Sequence, residues 1–437
     1  MLIDRPGETL QSFLVTNSMG DQFTIKKEGE QFILDGHPGF LLDRHQVDLM
    51  VKDLTLLITS DWAGDVPEDD ESLEMLGLGK NASRVTAHYA DGTEITVRFG
   101  FDARTEIPSD FIMVEGDSKV YTISQETRDH FDRDISTLHQ IPAINFSSKH
   151  VNQIRFEGEN AFTLRQTDGW WEMTAPYPHA VNVAALTSLL SNINKMRFAL
   201  YVSDARESNL ADFGLDSLKR SVYFDLSAST ITEYDKQDNP ISNRDIPAQT
   251  LRIDLGDDYE QIGLYCLYDG KVYLCSNASM GFLRDVSFET LKSKSPLNIP
   301  INRLQSLMVE ENHVRTRYTI GFVETILPNN ELAKDKDGNQ LFDTLVYIDD
   351  KEIDSQVFLR AYLNLLGLYG AGPLPETYKA NEHDWVRKYT FVLLDESTRE
   401  LALFPFDALH YAMRVNGVFV AFVSHEAADA VVFSSNQ

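Results

Sequence analysis

Apolar and polar residues alternate in short runs along this chain, and helical stripes of apolar residues separate groups of these runs. The stretches Gln22–Leu34 and Ile154–Met173 alternate around turn-forming residues, which is the pattern of a β-hairpin. After each hairpin, apolar residues recur three and four positions apart, the spacing of an amphipathic helix. Later alternating runs turn at Asp91-Gly92, Asp269-Gly270 and Asn416-Gly417, which predicts antiparallel β-meanders.

We expect this arrangement of hairpin, helix and meander to occur three times. The predicted fold is α+β, with three tandem repeats at residues 1–140, 151–295 and 303–437. Equivalent strands recur about every 150 residues, a period too long for a solenoid and long enough for separate cores. The third repeat is the most divergent, because the polar, turn-rich segment Asn329–Gln340 interrupts its hairpin.

Each predicted helix follows a residue whose side chain can cap a helix N-terminus. The caps and helices are Asp43 with the stripe from Val47 to Leu57, Asn182 with Val183–Tyr201, and Asp354 with Gln356–Tyr369.

The charge of the chain narrows the range of partners. The 437 residues are 43% hydrophobic, as in folded proteins, and 39 basic against 67 acidic side chains give a formal net charge of -28. Such a surface repels phosphate backbones and acidic lipid headgroups. We therefore expect no nucleic-acid partner and no peripheral binding to acidic membranes.

The two cysteines flank the predicted Asp269-Gly270 turn. A two-residue turn there pairs Cys266 with Tyr273 and Cys275 with Leu264, so the two sulfurs are diagonal neighbours on the hairpin. That placement is poor for a disulfide, and we expect two buried free thiols.

No apolar run is long enough to span a membrane, and the first residues lack the apolar core of a signal peptide. Two interpretations stay open at this point. Either the protein is cytosolic, or a leader or anchor has been removed from this chain.

Several short motifs resemble those of a bacterial envelope family, known as family 4340 of the domains of unknown function. The motifs are Trp171-x-Met-x-x-Pro176, Phe213-Gly-Leu-Asp216, the Asp269-Gly-x-Val-Tyr273 strand, Leu76-Gly-Leu78 and Gly116-Asp-Ser-Lys-Val-Tyr121. The resemblance covers most of residues 13–295 and is weaker beyond them.

The resemblance implies an extracytoplasmic, membrane-tethered protein that associates with a transporter-like complex. Members of the family usually carry an N-terminal membrane anchor and are often encoded beside ABC-transporter components. This chain lacks the anchor, which we expect in the full-length protein. The family offers no established catalytic residues to carry over.

Five segments could suggest chemistry, and a structural role is favoured for each. Asp335–Gln340 resembles the start of a calcium loop but lacks the required glycine and glutamate positions. His425–Asp429 approaches a zinc-protease signature with Asp in place of the second His. Gly367–Gly372 follows a helix instead of preceding one, unlike a phosphate-binding loop. Glu382–Asp384 and the acidic run Glu68–Glu71 are expected to be exposed loops. We therefore expect no metal, no cofactor and no enzymatic activity.

Trp170 is the one candidate contact residue. Strand alternation places Trp171 and Met173 on the core face, and Trp170 and Glu172 on the other. An exposed Trp170 could anchor a protein partner or stack on a sugar. Packing against a neighbouring repeat is the favoured alternative.

These observations lead to three functional hypotheses. The first is an extracytoplasmic interaction or scaffold module, accessory to a membrane complex with ABC-transporter components. The second is a binding module for cell-wall glycan or peptide, and the third, least favoured, is a hydrolase.

Overall fold

The fold is mostly β. The computed structural model describes residues 2–144, 146–167, 169–206, 208–217, 219–234, 239–328, 331–335, 338–375 and 377–433. Strands account for 45% and helices for 19%, and the strands form several large antiparallel sheets. The predicted α+β fold of three tandem repeats is therefore wrong. Helices of only 11 or 12 residues accompany sheets of eight or nine strands, too little helix for a helical layer. The division into residues 1–140, 151–295 and 303–437 stays a prediction.

Within the described residues, the first part of the chain contains ten strands and three α-helices. In order they are β1 (Ile3–Asp4), β2 (Leu10–Thr16), β3 (Gln22–Glu28), β4 (Gln31–Leu34), α1 (Arg44–Thr55), β5 (Leu56–Leu57), β6 (Trp62–Asp65), α2 (Asp70–Met75), β7 (Ser83–Tyr89), β8 (Glu94–Asp102), β9 (Ser109–Val114), β10 (Lys119–Ser124) and α3 (Gln125–Asp129).

The described residues in the middle of the chain form eleven strands and three α-helices. They are β11 (Val151–Gly158), β12 (Phe162–Thr167), β13 (Trp170–Ala175), β14 (His179–Ala180), α4 (Val183–Ile193), β15 (Leu200–Asp204), β16 (Arg220–Leu226), β17 (Ser229–Tyr234), β18 (Pro240–Ile246), β19 (Gln249–Tyr259), β20 (Gly263–Tyr268), β21 (Lys271–Ser276), α5 (Phe282–Asp285) and α6 (Phe288–Leu291).

The last part, as far as the structure describes it, contains eight strands and two α-helices. They are β22 (Leu304–Glu311), β23 (Val314–Glu324), β24 (Phe342–Ile348), β25 (Lys351–Ile353), α7 (Ser355–Leu366), β26 (Arg387–Leu393), β27 (Thr398–Pro405), β28 (His410–Val415), β29 (Val418–Ser424) and α8 (His425–Asp429).

Contacts divide the chain into two compact units. Unit 1 comprises residues 1–145, 197–216 and 256–280, and unit 2 comprises residues 146–196, 217–255 and 281–437. Each unit is therefore assembled from separate stretches of sequence.

Unit 1 contains an antiparallel sheet with the strand order β4-β3-β2-β7-β8-β9-β10-β6. Burial alternates strictly along β7, as a sheet with one covered face requires. Helix α1 places Val47, Met50 and Leu54 in the core that Phe13 and Ile25 of the sheet also form. The Asp43 side chain caps α1 by accepting a hydrogen bond from the Gln46 N–H at 3.2 Å, which confirms the predicted helix start.

The hairpin of β20 and β21, also in unit 1, confirms the prediction for the cysteines. Asp269 and Gly270 both have positive φ, as a two-residue hairpin turn needs. Cys266 lies opposite Tyr273 and Cys275 opposite Leu264; both thiols are buried, and neither forms a disulfide.

Unit 2 contains the run β14-β13-β12-β11-β16-β19 and a sheet with the order β25-β24-β23-β22-β26-β27-β28-β29. Its largest core cluster joins Phe358, Tyr362 and Leu365 of α7 to Leu307 and Phe391 of the sheet. The predicted caps of the other two long helices are confirmed, since Asn182 accepts from Ala185 and Asp354 from Gln356.

The predicted helix ends are wrong at two places. Helix α4 ends at Ile193, and Tyr201 belongs to β15, which pairs with β21. Helix α7 ends at Leu366 instead of Tyr369, with Gly367 as its C-cap. In both cases, apolar residues beyond the helix continued the sequence stripe although they belong to a strand or a loop.

Candidate interaction surfaces

Trp170 lies at the first position of β13, opposite Thr167 of β12. Its side chain is half-buried and packs against the largest core cluster of unit 2. The guanidinium carbon of Arg303 lies 5.5 Å from the centre of the ring system, within the range of a cation–π contact. Trp170 therefore packs against other residues of unit 2. Its role as a partner or ligand contact stays a prediction.

The expected alternation of core and exposed residues does not hold along β13. Trp170 and Trp171 are both half-buried, whereas Glu172 and Met173 are both buried. Arg399 of β27 explains the burial of Glu172, because its guanidinium donates to both carboxylate oxygens at 2.8 and 2.5 Å. These bonds to Glu172 raise the pKa of Arg399. The buried carboxylate of Glu172 thus forms a bidentate ion pair with Arg399 within unit 2.

A depression of about 650 Å³ opens beside Trp170. Among the described residues, Asn302, Arg303 and Asp395 contribute polar side chains to its wall. A hydrogen bond from the Ser397 hydroxyl to Asp395, 2.6 Å long, lowers the pKa of that carboxyl, which is therefore ionised at neutral pH. One aromatic ring and these polar groups could hold a small polar ligand.

A second surface extends the hairpin of β23 and β24 in unit 2. We name its described residues, 323–328, 331–335 and 338–342, the apolar flap. The hairpin ladder ends at the pair Glu324–Phe342, and a closed ring of three backbone hydrogen bonds follows. Thr325 donates to the carbonyl of Leu341, Leu341 to that of Ala333, and Ala333 to that of Thr325, at 3.0, 2.8 and 2.8 Å.

The apolar flap exposes most of its large hydrophobic side chains. Ala333 at the centre of the ring is only 4% exposed, but six larger residues around it face solvent. They are Val323 at 46%, Ile326 at 61%, Leu327 at 42%, Leu332 at 42%, Leu341 at 43% and Phe342 at 55%. Soluble proteins rarely expose so many neighbouring apolar groups without a partner for them. The flap is thus a braced structure with an apolar exterior.

Sequence reasoning missed the flap because it treated Asn329–Gln340 as a polar interruption of a hairpin. The signal that could have found it is the set of apolar pairs Ile326-Leu327, Leu332-Ala333 and Leu341-Phe342, which flank the turn residues. Such pairs indicate short strand-like segments instead of a plain loop.

The remaining candidate motifs lie in structural settings. Glu382–Asp384 is an exposed turn, as predicted. His425–Asp429 forms α8, in which Asp429 pairs with Arg387 at 3.1 Å. Gly367–Gly372 follows α7. The run Glu68–Glu71 is exposed, and its Asp69 caps α2. The candidate calcium loop Asp335–Gln340 lies partly outside the described residues.

Each unit contains one buried histidine in similar surroundings. In unit 1, Nδ1 of His139 donates to the Gln140 carbonyl at 2.7 Å, and in unit 2, Nδ1 of His179 donates to the Ala180 carbonyl at 2.8 Å. A carbonyl can only accept, so both rings carry the proton on Nδ1 in their neutral form. Burial lowers the pKa of both histidines.

The comparison with protein families identifies the chain. The described residues contain no group of three or more His, Cys, Asp or Glu placed to hold a metal ion. No helix in that part of the chain has the length and apolar character needed to cross a bilayer. The described part of the chain is mostly β and exposes the apolar side chains of the flap. The model of one family, described as a domain of unknown function (DUF4340), matches residues 33–217 and 171–321. The chain belongs to this family, which confirms the resemblance seen in its motifs. No curated protein and no solved structure matches the chain.

Proposed function

We propose that this protein is a non-enzymatic, extracytoplasmic interaction module that docks on a membrane complex of the ABC-transporter type. The apolar flap is the observation that carries the proposal. It provides six exposed apolar side chains on a scaffold that backbone hydrogen bonds among Thr325, Ala333 and Leu341 brace. The location rests on the family resemblance, which implies a membrane-tethered protein beside transporter components.

The flap suits a protein partner better than an acidic lipid surface. Among the residues of the flap that the structure describes, the exposed charged ones are mainly acidic, with Glu324, Glu331 and Asp335 against Lys334. Acidic headgroups attract basic segments, so this charge opposes binding to them. Full burial of a Leu or Ile side chain contributes roughly 1.5–3 kcal/mol, and several such side chains can supply the core of a protein interface.

The test is site-specific photo-crosslinking of the full-length protein in its own cells. A photo-reactive amino acid replaces Leu332 in the flap, and the matched control places it at Leu409, which is 69% exposed elsewhere in unit 2. Crosslinked membrane fractions are then analysed by mass spectrometry. We expect position 332 to capture a transporter-type component and position 409 to capture none.

Two results would count against the proposal. One is a protein that fractionates with the cytosol. The other is an identical set of crosslinked proteins at positions 332 and 409, because the flap would then have no specific partner.

A second candidate function is binding of cell-wall glycan or peptide in the depression beside Trp170. The ring of Trp170 and the ionised Asp395 favour it, since sugars stack on aromatic rings and donate hydroxyl hydrogen bonds to carboxylates. Calorimetric titration with soluble muropeptides tests it. Trp170→Ala should abolish the binding heat and Trp62→Ala, a change of an exposed Trp in unit 1, should not. Equal binding by both variants would exclude the site.

A further inference from the structure

Strand β6 ends the sheet of unit 1, and one of its sides lies open. Among the described residues, β6 pairs with β10 alone. Two backbone hydrogen bonds mark the ends of the contact with β10. At one end, the N–H of Ser60 donates to the Thr122 carbonyl at 2.8 Å. At the other end, the N–H of Val66 donates to the Ser118 carbonyl at 2.9 Å. The strand itself has four residues, and its contact with β10 continues for one or two residues beyond each end.

Two terminal strands of unit 2 are covered by nearby chain. In unit 2, the N–H of Ala180 in β14 donates to the carbonyl of Pro296, and the N–H of Ser293 returns a bond to Ala180. Likewise, Phe422 of β29 exchanges hydrogen bonds with Ala371 and Gly372. Covering an edge in this way prevents its pairing with other chains. The edge of β6 has no such cover among the described residues.

The open side of β6 carries a large aromatic side chain. Trp62 is 62% exposed, and its indole N–H donates to the Gly64 carbonyl at 2.9 Å. The register of β6 shifts against β10 between Trp62 and Gly64, so Ala63 has no partner residue in the ladder. These residues leave both main-chain groups and apolar surface for an added strand.

The charge at this edge selects the kind of strand that can be added. From residue 54 to residue 79 the sequence has no Lys or Arg, while Asp61 and Asp65 flank the strand and Glu68–Glu71 follows it. The cation beside them is Lys119 of β10, which lies opposite Asp65 and 5.9 Å from the centre of the Trp62 ring, so the edge keeps an excess of acidic groups. Asp61 and Asp65 are both exposed. A second copy of this edge would bring the same carboxylates together, so charge repulsion disfavours self-pairing. A segment with Lys or Arg side chains is attracted instead.

We infer that the β6 edge binds an extended, basic segment of a partner protein as an additional strand. Main-chain hydrogen bonds hold the segment to β6, Trp62 covers one of its side chains, and Asp61 and Asp65 pair with its cations. The inference rests on the proposed function in that both require a protein partner. It adds a second surface, in unit 1, and names the chemistry of what binds there.

The test measures binding of a synthetic peptide to the full chain at low salt. The probe has eight residues and alternates lysine with valine and threonine. One control peptide has glutamate in place of lysine, and another carries a methyl group on every internal amide nitrogen, which removes the N–H donors and keeps the charge. We expect the lysine peptide to bind and both controls to bind at least tenfold more weakly.

Variants of the protein locate the site. The double substitution Asp61→Asn with Asp65→Asn should lower the affinity for the lysine peptide about tenfold. Trp62→Ala should lower this affinity about threefold. The matched control changes Asp349 and Asp350 to Asn; these are two exposed acids next to β25, another terminal strand, and the change should leave the affinity unaltered. All of the substituted side chains are exposed, so the variants should keep the fold.

Three outcomes would overturn the inference. The peptide fails to bind at millimolar concentration, or the amide-methylated peptide binds as well as the probe, or the control variant loses as much affinity as the β6 variant. Because the assay uses purified protein and a peptide, its failure does not affect crosslinking from the flap. Conversely, peptide binding without flap crosslinks would sustain this inference while the proposed docking of the flap failed.

Discussion

In the apolar flap, backbone groups of Thr325, Ala333 and Leu341 bond to one another, while apolar side chains point to solvent. At the β6 edge the arrangement is reversed: main-chain groups lie open, and the exposed side chains are Trp62 and carboxylates. The flap can therefore bind a partner only through side-chain burial. The edge can bind through the main chain, with charge choosing the partner. The two surfaces should accordingly respond to opposite changes in conditions.

The largest effect is expected from Ala333→Glu. Ala333 is buried at the centre of the hydrogen-bonded ring, and burial of an unpaired carboxylate costs several kcal/mol, so the ring should open. Crosslinking from position 332 should fall more than tenfold, whereas binding of the lysine peptide to β6 should not change. A loss of both would show that the surfaces depend on each other. Circular dichroism of the variant checks that the sheets remain folded.

Salt should separate the two surfaces next. A rise from 50 to 500 mM sodium chloride shortens the Debye length from roughly 14 to 4 Å, so we expect peptide affinity at the edge to fall about tenfold. Capture by the flap should stay constant, because apolar burial is not screened. Peptide titrations and flap crosslinking at both salt concentrations measure this. Salt-insensitive peptide binding would contradict the role assigned to Asp61 and Asp65.

A single exposed apolar residue of the flap should have a smaller effect. Leu332→Ser removes apolar area worth roughly 1 kcal/mol if the partner buries it, which corresponds to about fivefold in affinity. Leu409→Ser is the matched control and should leave capture unchanged. The measurement is competition of each purified variant against crosslinking of the wild-type protein. Equal competition by both variants would show that the partner does not bury Leu332.

The last prediction concerns the pH dependence of stability and compares the two units that carry these surfaces, with no effect expected on binding itself. Burial lowers the pKa of His139 and His179 below the ordinary 6.5, so the unfolded chain binds more protons than the folded one as pH falls below that value. Stability is therefore fully present above pH 6.5 and decreases on acidification, by at most about 1.4 kcal/mol per pH unit for each histidine.

Urea unfolding at pH 7 and pH 5.5 measures this loss. His139→Gln should remove the contribution of unit 1 and His179→Gln that of unit 2. If neither variant reduces the pH dependence, other groups control it.

Local signals allowed several elements to be predicted. Asp43, Asn182 and Asp354 marked the helix starts because a cap acts within one turn of its own residue. The cross-strand partners of Cys266 and Cys275 could be predicted from the adjacent Asp269-Gly270 turn, because this turn fixes the register of the two strands.

Features that depend on distant partners could not be predicted in this way. Glu172 can be buried because it forms an ion pair with Arg399, which lies more than two hundred positions away in the sequence. As a result, buried and exposed residues do not alternate along β13 as its sequence suggests. The flap closes through bonds among three separate segments. The fold class was wrong for a related reason: a helical stripe appears in the sequence whether a helix covers a whole sheet or, as here, only part of one.

The closed ring of the flap has a consequence for how a complex would form. Since Thr325, Ala333 and Leu341 already hold one another, the apolar side chains near them are pre-organised, and binding loses little backbone entropy there. Pre-organisation of this kind mainly lengthens the lifetime of a complex, because dissociation rates vary more than association rates among related interfaces. A module braced in this way suits long residence on its partner more than rapid exchange between partners.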